Sequence, residues 1–115
     1  MIRRAEEMEK EVKTNMRGGK GNINFTHILG SDELAGKGRL FSKLTIKPGM
    51  SIGQHKHEGE FEAFYVIKGE GTFDDNGKIT KLNTGDLAVT GEGKSHAIEN
   101  TGDVDLEIIA LILFE

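Results

Sequence analysis

From Asn22 onward, apolar and polar positions alternate in short runs separated by glycine-rich breaks. In Asn22 to Leu29, Ile23, Phe25 and His27 fall on one face and Asn24, Thr26 and Ile28 on the other, which predicts a first strand. Further strands are predicted over Gly38 to Ile46, Ser51 to His57, Glu62 to Ile67 and Lys78 to Leu82, and in the shorter runs Thr72-Phe73, Leu87 to Val89 and His96 to Asn100. Ser51 to His57 and Glu62 to Ile67 read as a pair reversing through Glu58-Gly59-Glu60, and Leu87 to Val89 and His96 to Asn100 as a second pair. Asp75-Asn76-Gly77 is the strongest hairpin signal, because Asn-Gly supplies the positive φ angles of a type I′ turn. Lys47-Pro48-Gly49 demands another turn.

The two ends of the chain depart from simple alternation. Ile2, Ala5, Met8 and Val12 recur at spacings of three and four, which suits a short amphipathic helix, while Glu11 to Asn15 fits an extended segment equally well. Arg17-Gly18-Gly19-Lys20-Gly21 predicts a solvated loop and lacks the Gly-Lys-Ser/Thr ending of a phosphate loop. Ser31 to Gly36 predicts one helical turn or a loop. Ile108 to Phe114 is apolar without alternation, so a strand there needs cover on both faces. The outer cover is either the N-terminal segment or a second subunit, and a homodimer is the favoured expectation.

About nine or ten short strands with little helix give an all-β barrel or double-sheet sandwich. A length of 115 residues suits one domain, 1–115, with residues 1–21 as an N-terminal arm. Sixteen glycines, about twice the ordinary share of roughly 7%, fit a chain of many tight turns. A formal charge of -4, with no basic stripe, argues against nucleic-acid or anionic-membrane partners. Cysteine is absent, which excludes disulfides, thiolate metal sites and a thiol nucleophile. The charged N-terminus has no apolar signal region behind it, so a cytoplasmic protein is expected.

Chemistry concentrates in Gly49 to Gly69. His55 and His57 leave one face of an extended strand, and Glu62 follows a turn that returns its carboxylate toward them. Of the two remaining histidines, His27 reads as a packed, hydrogen-bonded side chain, and His96, in a glycine-rich turn, as the fourth donor. Imidazole nitrogens with one carboxylate suit Mn, Fe, Co, Ni or Zn and exclude an all-oxygen calcium site.

These residues resemble the two motifs of the cupin superfamily. The first, G-x5-H-x-H-x(3,4)-E-x6-G, is met by Gly49, His55, His57, Glu62 and Gly69. The second, G-x5-P-x-G-x2-H-x3-N, is met by Gly85, Gly93, His96 and Asn100, with Gly91 where the family has proline. The resemblance implies a double-stranded β-helix, or jelly-roll, barrel. It also implies one divalent transition metal held by His55, His57, Glu62 and His96, usually Mn or Fe, with Ni, Co, Cu or Zn in some members. It is strongest to small single-domain cupins similar to oxalate decarboxylase, which implies a Mn- or Fe-dependent enzyme acting on a small carboxylate. An iron-dependent dioxygenase and a non-catalytic module that binds a sugar or small acid are the alternatives. Decarboxylation needs a cation for the second carboxylate and an acid for the product carbon, for which the candidates are Arg39, Lys43, Glu58 and Glu60. Phe41, Phe64, Tyr65 and Phe73 are candidates for a pocket lining, and Asn100 for a structural hydrogen-bonding role.

Overall fold

A computed structural model describes residues 1–115. Ten strands make two antiparallel sheets: β1 (Glu9–Thr14), β2 (Asn22–Leu29), β3 (Gly38–Ile46), β4 (Ser51–Lys56), β5 (Glu60–Lys68), β6 (Glu70–Asp75), β7 (Lys78–Asn83), β8 (Leu87–Thr90), β9 (Ser95–Glu99) and β10 (Leu106–Phe114). The larger sheet runs β1-β2-β3-β10-β5-β8 and the smaller β4-β9-β6-β7. They close on each other as a double-stranded β-helix. Three short 3-10 turns, Ala5–Glu7, Met16–Gly18 and Ser31–Leu34, are the only helical pieces.

Alternation becomes a core. On the larger sheet Ile23, Phe25, Leu44, Ile46, Phe64, Val66, Leu106, Ile108 and Ala110 face inward; Ile52, Phe73, Leu82 and Ile98 meet them from the smaller sheet. β10 lies between β3 and β5, so both its edges are paired, and its even-numbered residues from Leu106 to Ile112 are buried. The turn at Asn76-Gly77 has φ of 50° and 98°, and Asp75 pairs with Lys78 across it, as the type I′ signal predicts.

Three expectations are corrected. Residues 2–16 form one 3-10 turn and then β1, not an amphipathic helix, because β2 offers a free edge that a solvated helix would leave unpaired. Glu9 to Thr14 pair with His27 to Asn22 along it. Short cross-strand side-chain bonds hold β1 in place: Thr14 Oγ1 donates to Asn22 Oδ1 at 2.7 Å, and Lys10 Nζ to Thr26 Oγ1 at 3.3 Å.

The segments around Glu58-Gly59-Glu60 are not paired either. β4 belongs to the smaller sheet and β5 to the larger, and β8 and β9 are divided in the same way. Both turns cross from one sheet to the other, so donors that a hairpin would set side by side face each other across the barrel.

Candidate metal centre

Two strand irregularities aim the side chains of the site. In β4 the register passes from Ile52 opposite Ile98 to His55 opposite His96, three residues against two, which places a bulge at Gly53-Gln54. The bulge turns His55 onto the same inner face as Ile52, and His57 follows two residues later. Gly53 permits it, since a Cβ there would overlap the carbonyl of Arg17. In β3 the pairing with β10 skips Arg39, a second bulge that swings this side chain to the cavity mouth.

Four donors from β4 and its following turn, β5 and β9 meet inside the barrel. The Nε2 atoms of His57 and His96 are 3.0 Å apart, and those of His96 and His55 3.1 Å. Glu62 Oε1 lies 3.0 Å from Nε2 of both His57 and His96. Donors about 2.1 Å from one ion, at right angles, are about 3.0 Å from each other. His57, Glu62 and His96 are buried, and His55 is partly so.

The opposite ring nitrogens show why this is more than crowding. His55 Nδ1 lies 2.8 Å from the carbonyl of Gly53, which can only accept, so that nitrogen carries the proton. His57 Nδ1 lies 2.5 Å from Glu60 Oε2 and donates to it in the same way. In their neutral forms both rings therefore turn the bare lone pair of Nε2 inward, toward the Glu62 carboxylate. His96 Nδ1 is fixed at 2.7 Å by the buried Thr90 hydroxyl. Converging acceptors in a buried site repel one another unless a cation sits among them, and a proton or a metal ion can fill that place.

Titration reflects the same arrangement. Burial is the main cause that lowers the pKa of His55. The hydrogen bond with Glu62 is the main cause that raises that of His57. Burial works to raise the Glu62 carboxyl, but the bonds from His57 and His96 outweigh it and hold the group below its ordinary value. Glu60 is lowered to about 2, first by the Arg39 guanidinium and then by His57.

The cluster rests on hydrocarbon. Phe64 stacks on His96 at 5.0 Å between centroids and 17° between planes, and Phe73 meets the same ring edge-on at 5.6 Å. Beside it opens a cavity of about 510 Å³, walled by Leu40, Leu44, Ile52, Phe64 and Ile112 and rimmed by Arg39.

A cupin domain family model matches residues 42–112 of this chain. The chain belongs to the cupin family. This cupin is 48% identical over 113 residues to an oxalate-binding protein of Thermotoga maritima, covering 98% of the chain and 93% of that relative. A crystal structure from Thermotoga maritima, described as a predicted oxalate decarboxylase, superposes with a TM-score of 0.94 at 47% identity over the whole of both chains. A Klebsiella pneumoniae protein with a double-stranded β-helix domain superposes at 0.73 and 20% identity, over 97% of this chain and 88% of that one, a likeness of fold.

The other candidates of the sequence are dispersed. Lys43 points to the outer face, 3.4 Å from Glu107, and Glu58 is exposed beside Lys56. Arg39 and Glu60 are joined to each other: Nε and Nη2 of Arg39 each donate to Glu60 at 2.8 Å. Of the four aromatics only Phe64 lines the cavity; Phe73 is core, while Phe41 and Tyr65 lie on the outer face of the larger sheet. His27 is packed and hydrogen-bonded, to Ser42 Oγ at 2.6 Å and Glu11 Oε1 at 2.8 Å. Asn100 donates to the carbonyls of Ile46 and Val104, both at 2.8 Å, and so ties two loops together. Thr90 and the Gly53 carbonyl went unforeseen, since neither residue type marks itself as the partner of an imidazole.

Proposed function

We propose that this cupin holds one divalent transition metal per subunit through His55, His57, Glu62 and His96, and that a small carboxylate, oxalate first, binds beside it. The observation that carries the reading is the convergence of four ligand atoms within 4.8 Å of one another, with Nε2 of His57 and His96 and Glu62 Oε1 mutually 3.0 Å apart and His55 Nε2 3.1 Å from that of His96. Mixed nitrogen and oxygen donors favour Mn or Fe, with Ni, Co, Cu or Zn also accommodated. When bound, such an ion supplies Lewis acidity and open positions for an oxygen ligand. The chain's own part is to fix the three rings through Gly53, Glu60 and Thr90, and to keep bulk water from the donors with Leu40, Leu44 and Ile52. Similarity to the oxalate-binding protein of Thermotoga maritima supports oxalate as the first ligand to try.

Binding is favoured over turnover by one specific contact. Arg39 and Glu60, the pair suited to hold a second carboxylate and to supply a proton, are engaged with each other. Elemental analysis of the parent, His55→Ala and Glu62→Ala tests the metal, with near-stoichiometric content expected in the parent and a large loss in each variant. Equal content in all three would end the reading. Titration of oxalate into the Mn-loaded protein tests the ligand: saturable heat without formate supports binding alone, and formate with carbon dioxide would instead make the protein a decarboxylase. Oxygen uptake by the Fe-loaded form would turn the reading to a dioxygenase.

The protein works as a homodimer in the cytosol in this reading. Phe41, Leu111, Ala63 and Val89 form one row across the outer face of β3, β10, β5 and β8, and Ile109, Tyr65 and Leu87 the next. The N-terminal segment, the other possible cover, is occupied at the far edge with β2. A second copy of the chain is the remaining cover.

A further inference from the structure

Arg39 and Glu60 are far apart in sequence and end in one linked chain of hydrogen bonds with His57. The Arg39 fork meets both oxygens of Glu60 at 2.8 Å, and Glu60 Oε2 meets His57 Nδ1 at 2.5 Å. His57 is 1% exposed and Glu60 7%, so neither has water to fall back on. A matched fork to a carboxylate fixes both distance and plane, which a single bond does not. The bulge in β3 that displaces Arg39 from the β10 ladder gives that side chain its aim.

We infer that Arg39 and Glu60 are positioning residues of the metal site: Arg39 orients the Glu60 carboxylate, and Glu60 holds the proton of His57 on Nδ1, so that Nε2 faces the metal as a lone pair. The inference rests on the metal reading above. It departs from what the sequence suggests for these two residues, namely handling of a substrate carboxylate and proton. The two roles separate cleanly. A positioning pair changes the affinity for metal when no acid is present; a substrate-handling pair leaves metal affinity alone and changes only the affinity for the acid.

The chain supplies its own control. Arg3 makes the same kind of fork to Glu33, at 3.0 and 2.7 Å, but that carboxylate is bonded to no ring. Co(II) alone is titrated into metal-free parent, Arg39→Met, Arg39→Lys, Glu60→Gln and Glu33→Gln, with folding of each checked by circular dichroism. Loss of such an outer partner weakens metal binding by roughly 10–100-fold. That loss is expected for Glu60→Gln and Arg39→Met, with only partial recovery in Arg39→Lys, because an ammonium cannot fork. Glu33→Gln should bind as the parent does.

The parent itself gives a second readout that needs no variant. In ¹⁵N-labelled metal-free protein, at a pH where the ring's own ¹⁵N shifts show it uncharged, His57 should be the Nδ1–H tautomer. Folded Glu60→Gln and Arg39→Met proteins that bind Co(II) within about twofold of the parent, or an Nε2–H tautomer for His57, would overturn the positioning role. A parent that binds no Co(II) but keeps the Nδ1–H tautomer would defeat the metal reading while leaving the hydrogen-bond geometry standing. The assignment of the pair to a metal site would fall with that reading.

Discussion

His55 and His96 are register partners on β4 and β9, and their Nε2 atoms lie 3.1 Å apart. Neighbouring strands ordinarily hold such pairs by burying hydrocarbon between them. Here two imidazole rings are brought tip to tip instead, beside a buried carboxylate, where a cation can join them.

Metal should raise stability by mass action. A transition ion present at 100 times its dissociation constant adds about 2.7 kcal/mol, and this stabilisation should be lost with EDTA. Thermal unfolding of the parent in excess Mn(II), against the EDTA-treated protein, should show a clear upward shift. His55→Ala should not shift with Mn(II), yet with EDTA it should unfold near the metal-free parent, because one member of the repelling set has gone. An unchanged parent midpoint with and without Mn(II) would count against the cluster as a metal site.

Acid should destabilise the metal-free protein through Glu60. Its folded pKa, about 2, lies below the ordinary value of 4.5, so its stabilisation is fully present above about pH 4.5 and is lost as pH falls toward 2. The difference corresponds to a contribution on the order of 3 kcal/mol, an upper value because the Arg39 partner is partly exposed. His57 has the opposite sign. Its raised pKa gives stability that is present below its unfolded pKa and lost as pH rises through the folded one. Urea unfolding in EDTA at pH 6, 4 and 3 should show a steep acid loss in the parent and a shallower one in Glu60→Gln. Parallel curves would place the acid sensitivity elsewhere.

Gly53 should tolerate no side chain. Its missing Cβ leaves room for the Arg17 carbonyl, and its own carbonyl fixes His55. Gly53→Ala forces the 15–21 segment and β4 apart, an overpacking that costs about 1–3 kcal/mol, and it moves the ring that β4 delivers. Denaturant unfolding and Co(II) titration should both worsen. Loss of stability with parent-like Co(II) binding would separate the bulge from the aim of His55.

Much of this was legible in the chain because the signals were local. Alternation placed the core face of β2, Asn76-Gly77 placed its turn, and the spacing of His55, His57, Glu62 and His96 brought together the four side chains that meet. The misreadings are of features set by partners distant in sequence. β1 is a strand only because β2 has a free edge, and its six exposed residues carry no inward pattern to announce it. That β4 and β5 face each other across the barrel cannot be told from a hairpin by a turn alone. Arg39 reads as a candidate cation for a substrate carboxylate, and nothing local announces the bulge opposite Ile112-Leu113 that turns it to Glu60 instead.

The outer face of the larger sheet supports the last prediction. Leu87 is 61% exposed, Val89 55% and Tyr65 47%, and cross-strand pairing makes them neighbours: Val89 faces Ala63, Leu87 faces Tyr65, and Ala63 and Tyr65 face Leu111 and Ile109 of β10. Such a contiguous apolar surface, one sheet deep from the core, is characteristic of a face covered by another protein surface. In a two-fold dimer the same patch meets itself, so one substitution acts twice. Val89→Arg sets two guanidinium groups near each other in a closing apolar interface and should convert a dimer to a monomer in sedimentation at micromolar concentration. Its site is solvent-facing in the isolated subunit, so the monomer should keep its β-sheet circular dichroism and its Co(II) binding. A parent that sediments as a monomer would leave this apolar face uncovered in solution and remove the dimer.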